Sequence, residues 1–215
     1  MSGISMTMIL IVMTCLISYQ GFNNPNVKYK LAFHPASVRE FGEWYRFLSG
    51  GFVHSNWSHL LLNMFVLYQF GEFLEVVFTQ YIFGETLGRL LYLLFYLSAI
   101  VMADIPNYYR HRENSGFSAV GASGAVSAFV FAYVLFQPWS WFIFPPLPAI
   151  LFGVAYLWYS SYMGKRGGDL IDHSAHFWGA LYGVVFMLCV AVFYKPELLG
   201  YFIANLLQGP SMPNF

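Results

Sequence analysis

Three short segments of this chain place polar side chains, of types that can perform acyl transfer, at the edges of apolar sequence. The first contains His59 and Asn63, which stand four residues apart and therefore share one face of a helix. The second contains Ser123, and the third contains His176. A serine nucleophile, a histidine base and hydrogen-bond donors for an oxyanion are the parts that peptide hydrolysis requires.

Each of these segments, taken alone, also has a purely structural interpretation. The histidine–asparagine pair is explained as a polar contact between helices. Small residues recur at 121/125 and 124/128, so Ser123 is explained as part of a surface that another helix approaches closely. The segment is a poor match to a hydrolase nucleophile elbow, because its fifth position is Ala125 and not glycine.

The third segment contains a second histidine, His173, and the pair could be considered as metal ligands. Zinc sites use three or four protein ligands, and the segment lacks a His-Glu-x-x-His pattern, so a metal site is disfavoured. Gly179 and Gly183 stand four residues apart and predict a helix face that another helix can approach closely.

The composition indicates that these residues are carried by membrane helices. Of the 215 residues, 58% are hydrophobic and 9% are charged, whereas soluble chains have about 25% charged residues. Ten basic residues balance ten acidic ones, which excludes a disordered chain and argues against nucleic-acid binding. Cys15 and Cys189 lie in apolar runs and form neither a disulfide framework nor a metal-ligand pattern.

Six apolar segments are each long enough to cross a bilayer as a helix, which requires roughly 20 residues. Their apolar runs are continuous, so a barrel of alternating strands is excluded and an all-α membrane protein is predicted. The first segment has no preceding basic residue and no cleavage site, so it is interpreted as a helix and not as a signal peptide. The segments cover about 4–20, 57–78, 87–105, 117–137, 140–163 and 173–194.

The connections between these helices differ in character. A long connection, about 21–56, mixes aromatic and basic residues and is predicted to lie partly in the lipid headgroup region. The glycine-rich loop 164–172 is expected to be mobile, and the apolar stretch 198–207 is too short to span a membrane. Because helix direction alternates, the second, fourth and sixth helices start at the same membrane face, so the three polar segments are predicted to meet there.

At these residues the sequence resembles the rhomboid family of intramembrane serine proteases, over roughly residues 4–194. The family's nucleophile motif Gly-x-Ser-Gly is matched by Gly121-Ala122-Ser123-Gly124. Its motif Ala-His-x-x-Gly-x-x-x-Gly is matched from Ala175 to Gly183, and its motif His-x-x-x-Asn from His59 to Asn63. The motifs occur in the family's order and on the corresponding helices.

The resemblance implies a role for each matched residue. Ser123 is implied to be the nucleophile and His176 the general base. Asn63, His59 and the backbone N–H of Ser123 are implied to line the oxyanion hole. The remaining matches are to structural or supporting positions: His54, Gly121, Gly124, Gly179, Gly183, Glu43, Arg46 and Glu75.

Two departures from the family pattern concern the surroundings of the site. Tyr45 stands directly before Arg46, where the family usually has tryptophan. Some members have an aromatic residue four positions after the nucleophile, packing on the catalytic histidine, and this chain has Ser127 there. None of the three aspartates is obviously placed to orient His176, so a dyad is expected, with His176 oriented through Ser127 or His173.

The resemblance implies a six-transmembrane-helix protease domain, residues 1–194, followed by a short tail, residues 195–215. It implies substrates that are transmembrane segments of other proteins, entering sideways from the membrane lipid, and we expect no cofactor, metal ion or nucleic acid. It also implies an integral protein of the bacterial inner membrane, with its active site toward the extracytoplasmic side. The basic residues of the connecting loops, taken alone, favour the opposite orientation.

Two other functions stay open on the sequence. A catalytically inactive rhomboid-like protein that binds membrane helices would be expected to lack the serine or the histidine, and both are present. A small transporter with a proton relay of His54, His59, His173 and His176 would be expected to have paired broken helices. The proline cluster 145–148 has no counterpart in the other half of the chain.

Overall fold

The structure is a computed structural model that describes residues 4–142, 146–166 and 172–210. Within these residues the chain is helical and contains no β-sheet. The helices of this described part are α1 Met6–Asn23, α2 Pro25–Leu31, α3 Pro35–Phe41, α4 Arg46–Ser49, α5 Trp57–Val76, α6 Glu85–His111, α7 Ser123–Phe136, α8 Ala149–Arg166, α9 His173–Phe193 and α10 Glu197–Gln208. A 3₁₀ turn follows α4 at Gly50–Phe52, and a π-helical segment extends α5 at Val77–Ile82.

Four helices in the described part of the chain are long and apolar enough to cross a membrane: α1, α5 with its π-helical extension, α6 and α9. The prediction of an all-α membrane protein is therefore confirmed. The fourth predicted segment is a shorter apolar helix, α7, of 14 residues. The fifth overlaps α8, of 18 residues, which begins at Ala149 and not near 140 as predicted. The count of six spanning helices stays a prediction.

Two of the helix boundaries that differ from the predicted ones are explained by contacts in the fold. α7 begins at Ser123 and not near 117, because the chain before it is extended and paired. Phe33 and Ala119 exchange backbone hydrogen bonds of 3.0 and 2.9 Å there. α6 does not end before Pro106 but continues to His111. A proline removes one helical hydrogen bond, and a helix packed among neighbours tolerates that loss.

α7 lies at the centre of the bundle. α5, α6, α8, α9 and α10 all pack against it, and most of its side chains are buried. Phe129 of α7 stacks on Phe95 of α6 with ring centres 4.8 Å apart, and it meets Tyr92 edge-on at 5.3 Å. Because protein surrounds α7 on several sides, the residue at its start has a defined position.

One buried arginine holds the connection between α1 and α5 together. Arg46 is 4% exposed and donates to the carbonyls of Tyr29 and Ala32 at 2.8 and 2.9 Å. It also donates to the Glu43 carboxylate at 2.5 Å. Tyr45 lies beside the guanidinium, 5.5 Å from ring centre to Cζ. The Glu43–Arg46 pair is therefore an internal tie of this connection, whose depth in the membrane stays a prediction.

The end of the chain forms a further helix. α10 includes the predicted apolar stretch 198–207 and packs against α7 and α9. The Asn205 side chain donates to the Phe136 carbonyl at 2.8 Å, which ties α10 to the last residue of α7. Of the glycine-rich loop predicted at 164–172, residues 167–171 lie outside the described residues, and its first residues belong to α8.

Candidate active site

Ser123 is the first residue of α7, and a turn that requires glycine leads the chain to it. Gly121 has a φ of 122°, a conformation that L side chains rarely adopt. Its N–H donates to the Gly50 carbonyl at 3.0 Å, which anchors the turn to the segment after α4. Ser123 is partly exposed and, with Asp104 and Asp172, lines a cavity of about 20 Å³. That volume is room for about one water molecule.

The ring of His59 occupies the space beside Gly121. A Cβ on Gly121 would lie 2.5 Å from Cε1 and 2.9 Å from Nε2 of His59. Ser55 Oγ lies 3.1 Å from His59 Nδ1 and accepts a hydrogen bond of 3.3 Å from the Asn56 side chain. The Ser55 hydroxyl has a hydrogen that it can donate to Nδ1, and the tautomer that accepts this bond carries its hydrogen on Nε2. In that tautomer His59 presents an N–H donor beside Gly121, which precedes Ser123 by two residues in the chain.

Asn63 follows His59 by one turn of α5 and is 5% exposed. Its Nδ2 donates to the His59 carbonyl at 2.8 Å. An asparagine amide carries two hydrogens, so this bond leaves one for another acceptor. The His59 ring and the Asn63 amide thus share the face of α5 that the sequence predicts.

His54 is fully buried and connects three parts of the fold. Its Nε2 accepts the Ala122 N–H at 3.3 Å, and its Nδ1 lies 2.9 Å from Ser18 Oγ of α1. Ser18 donates to the Phe52 carbonyl at 2.9 Å, so Nδ1 carries the hydrogen and donates to Ser18. Burial and then the neighbouring His59 lower the pKa of His54 to about 3. A neutral His54 therefore supports the residue that precedes Ser123.

α7 and α9 touch through their backbones at two levels. A Cβ on Gly179 would overlap the carbonyl oxygen of Gly124, and a Cβ on Gly183 would overlap that of Ala128. Glycine at both positions of α9 is thus a steric requirement. The spacing of four residues repeats the contact one turn further along each helix.

The contact nearest the starts of α7 and α9 lies next to the two candidate catalytic residues. A Cβ on Gly124 would lie 3.4 Å from the Ala175 carbonyl oxygen, and 2.5 Å from Cβ of Ala103 on α6. Ser123 precedes Gly124, and His176 follows Ala175. The close approach therefore brings the first turn of α7 against the first turn of α9.

An aromatic side chain from α8 lies over His176. The rings of Tyr156 and His176 are 6.0 Å apart between centres and inclined by 22°. The Tyr156 hydroxyl lies 2.9 Å from Ser127 Oγ, one turn after Ser123 on α7. This chain has Ser127 where some family members have an aromatic residue, and the aromatic ring beside His176 comes instead from Tyr156 on α8. Sequence reasoning missed Tyr156, since no local pattern relates residue 156 to residue 176.

His173 is buried in the same turn of α9 as His176. The two imidazole rings are 5.9 Å apart between centres, edge-on, and Tyr159 of α8 meets His173 at 5.3 Å. In the part of the chain that the structure describes, no group of three histidine, cysteine, aspartate or glutamate side chains is suited to hold a metal ion.

Asp172 stands at the start of α9 and bonds to its first turn. Its carboxylate accepts the Ala175 N–H at 2.9 Å, and its backbone carbonyl accepts the His176 N–H at 3.2 Å. Sequence reasoning did not connect Asp172 with His176. An aspartate directly before a helix is a typical N-cap, and this signal could have identified it.

Comparison with known proteins relates these residues to one family. The family model of the Rhomboid domain matches residues 41–193. "Rhomboid-like protein 11, chloroplastic" of Arabidopsis thaliana is 30% identical over 165 residues, which are 71% of this chain and 55% of that protein. "Putative rhomboid protease YdcA" of Bacillus subtilis (strain 168) is 31% identical over 85 residues, 40% of this chain and 37% of that protein. The chain spans about half, or less, of the length of these relatives.

Proposed function

The chain belongs to the rhomboid family, and on this premise we propose that it is an intramembrane serine endopeptidase with a Ser123–His176 dyad. The observation that carries the proposal is the backbone contact at Gly124 and Ala175, which joins the two helix starts that bear these side chains. The alternative is a rhomboid-like protein without activity that binds membrane helices. The presence of both side chains, each partly exposed at the same end of the bundle, favours the enzyme.

The proposed reaction uses His176 as a proton carrier. His176 accepts the hydroxyl proton of Ser123 while the serine oxygen attacks the peptide carbonyl carbon. It then donates this proton to the leaving amine, and an ester between Ser123 and the substrate remains. Water attacks the ester while His176 accepts one of its protons, and His176 then returns that proton to the Ser123 oxygen as the carboxylic acid product leaves.

The negative oxygen of the tetrahedral intermediate needs hydrogen-bond donors. The His59 Nε2–H and the remaining amide hydrogen of Asn63 are the proposed side-chain donors. The backbone N–H of Ser123 adds a third, because the first N–H groups of a helix have no acceptor within it. Loss of one such donor typically lowers kcat by roughly 10²–10³-fold.

The proposed substrates are transmembrane segments of other proteins that enter sideways from the lipid. Cleavage would take place near one membrane surface, where the starts of α5, α7 and α9 meet. The proposed location is the bacterial inner membrane, with this end of the bundle toward the extracytoplasmic side. That side suits the release of an exported domain from its membrane anchor.

Labelling of the purified protein with a fluorophosphonate probe tests the proposed nucleophile. We expect the wild-type protein to be labelled and Ser123→Ala and His176→Ala to stay unlabelled while folded. Ser140→Ala, in the segment that follows the opposite end of α7, is the matched control and should be labelled normally. Labelling that survives Ser123→Ala would overturn the assignment. A folded wild-type protein that resists labelling would favour the inactive alternative.

A further inference from the structure

We infer that Asn107 of α6 is a positioning residue for His176. It acts through Asp172. The inference rests on the proposed function, because it concerns the general base of that dyad. It identifies a side chain that no family motif in this sequence marks. Its basis is a chain of hydrogen bonds that runs from the buried interior of α6 to the backbone N–H of His176.

The first step is the start of α9. Asp172 accepts two N–H groups of the first turn of α9, one from Ala175 through its carboxylate and one from His176 through its carbonyl. Whatever fixes Asp172 therefore also fixes the turn that carries His176. Residues 167–171, which precede Asp172 in the chain, lie outside the described residues. Within the described residues, the hydrogen bonds of Asp172 are to α6 and α9.

The second step is the contact between Asp172 and α6. Asn107 is 1% exposed, and its Nδ2 donates to the second carboxylate oxygen of Asp172 at 2.6 Å. The same nitrogen lies 3.5 Å from Oδ1 of Asp104, a residue that is 9% exposed and precedes it by three positions. An amide nitrogen has two hydrogens, so Asn107 can serve both carboxyl groups.

The third step is the position of this group relative to Ser123. Asp104 and Asp172 line the same small cavity as Ser123. Asn107 and the two aspartates thus lie behind the nucleophile, on the α6 side, whereas Tyr156 contacts His176 from the α8 side. Loss of the Asn107 bond leaves Asp172 able to cap α9 but removes its tie to α6. A small shift of His176 follows, and a 1 Å misplacement can lower a rate about 10²-fold.

A set of variants separates positioning from stability. Asp172→Ser keeps a good N-cap but cannot reach Asn107, and Asn107→Leu keeps the shape of the side chain without its hydrogen bonds. Asp172→Asn keeps the cap oxygen that accepts from Ala175, but its amide NH2 group then faces the Asn107 nitrogen, so the bond to α6 is lost. Ser98→Ala is the control, because Ser98 makes another α6–α9 contact, at 2.6 Å from the Tyr182 hydroxyl.

We expect kcat for a transmembrane substrate to fall about 10- to 100-fold in Asp172→Ser and Asn107→Leu with little change in KM. The double variant should lose no more than the larger single loss, since both remove one interaction. Asp172→Asn should lower kcat in the same way, although it is nearly the same size and shape as the wild-type side chain, because it caps α9 without accepting from Asn107. Ser98→Ala should lower Tm without lowering kcat, which shows that a lost α6–α9 bond elsewhere is not sufficient.

Other outcomes contradict the inference in distinguishable ways. Unchanged kcat in a folded Asp172→Ser, alongside an active wild type, would overturn the role of Asn107 and leave the dyad intact. The same holds if Tm falls while kcat stays constant, or if the two losses multiply in the double variant. An inactive wild-type protein that the fluorophosphonate probe does not label would overturn the dyad itself, and the inference with it.

Discussion

The ring of His176 contacts an aromatic side chain from a helix other than the one that bears Ser123. Tyr156 reaches it from α8, and the hydrogen bond to Ser127 fixes the tyrosine hydroxyl on α7. Stacked aromatic pairs contribute about 0.5–1.5 kcal/mol beyond the burial of their surface. The Tyr156 ring can therefore limit the rotation of the imidazole.

Substitution of Tyr156 separates the contribution of the ring from that of the hydroxyl. Tyr156→Phe keeps the ring over His176, so we expect kcat to change by less than about threefold. Tyr156→Ala removes the ring and should lower kcat about 3- to 10-fold, since about 1.4 kcal/mol corresponds to tenfold in rate. Steady-state cleavage kinetics measure both. A kcat in Tyr156→Ala equal to that of wild type would exclude this orienting role.

His54 makes the stability of the fold depend on pH. Its pKa is about 3 in the folded protein, against an ordinary value of 6.5. Between these values the unfolded chain binds a proton at this position and the folded chain does not, so stability rises with pH. The stabilisation is complete above pH 6.5 and is lost as the pH falls toward 3.

We therefore expect the Tm of the wild-type protein in detergent to fall between pH 6.5 and pH 3. His54→Gln keeps a hydrogen-bond acceptor but does not titrate, so its Tm should depend less steeply on pH over the same range. The difference between the two curves isolates His54 from the carboxyl groups that also titrate. Parallel curves would contradict the assignment of a buried, neutral His54.

At the residue scale the sequence predicts side-chain types better than their partners. The histidine–asparagine face, the glycine-flanked serine and the small-residue spacing can all be read from fixed distances along the chain. Tyr156 and Asn107 cannot, because their contacts join helices that are far apart in sequence. Only the packing of α6 and α8 on α9 brings these side chains to the site.

The close approach of α7 and α9 is the main structural requirement at the scale of elements. The carbonyl oxygens of Gly124 and Ala128 fill the space where side chains of Gly179 and Gly183 would lie. In a membrane, helices gain little from excluding water, so van der Waals packing of this kind holds them together. The start of α7 and the start of α9 stay together for this reason.

A methyl group on Gly179 should separate these helices. Gly179→Ala forces a shift against the Gly124 backbone, and overpacking of this kind costs about 1–3 kcal/mol. We expect a lower Tm and a loss of most activity. Gly200→Ala in α10 is the matched control, because nothing lies within 4 Å of the added carbon, and its Tm should equal or exceed that of wild type. Thermal unfolding and cleavage assays measure both effects.

Helix type was predictable from hydrophobic runs, whereas helix boundaries were not. The predicted start of the fourth helix was wrong by about six residues, because the Phe33–Ala119 pairing holds the preceding chain extended. That pairing joins residues far apart in the chain, so no local sequence pattern predicts it. The end of α6 was misjudged because Pro106, usually a helix breaker, lies within a packed helix.

The orientation of the whole molecule decides which compartment the site faces. The basic residues of the loops favour one orientation and the family resemblance the other, and we predict that the site faces away from the cytoplasm. In a variant without Cys15 and Cys189, Asn114→Cys lies in the exposed loop before Ser123. It should react with a membrane-impermeant maleimide on intact cells.

Gln80→Cys provides the matched control for this experiment. Gln80 is exposed in the π-helical segment at the opposite end of the bundle. It should react only after the membrane is opened. The reverse pattern would show that the loop charges determine the orientation and that the proposed placement of the site is wrong.

The central claim is that Ser123, with His176, cleaves transmembrane segments. The most direct measurement is cleavage of a fluorogenic transmembrane substrate in liposomes, with the cut position identified by mass spectrometry. We predict a cut within the membrane segment by the wild-type protein, none by Ser123→Ala or His176→Ala, and a kcat roughly 10²-fold lower for Asn63→Ala. Cleavage by Ser123→Ala at the wild-type rate, or none by a folded wild-type protein across transmembrane substrates, would contradict this account.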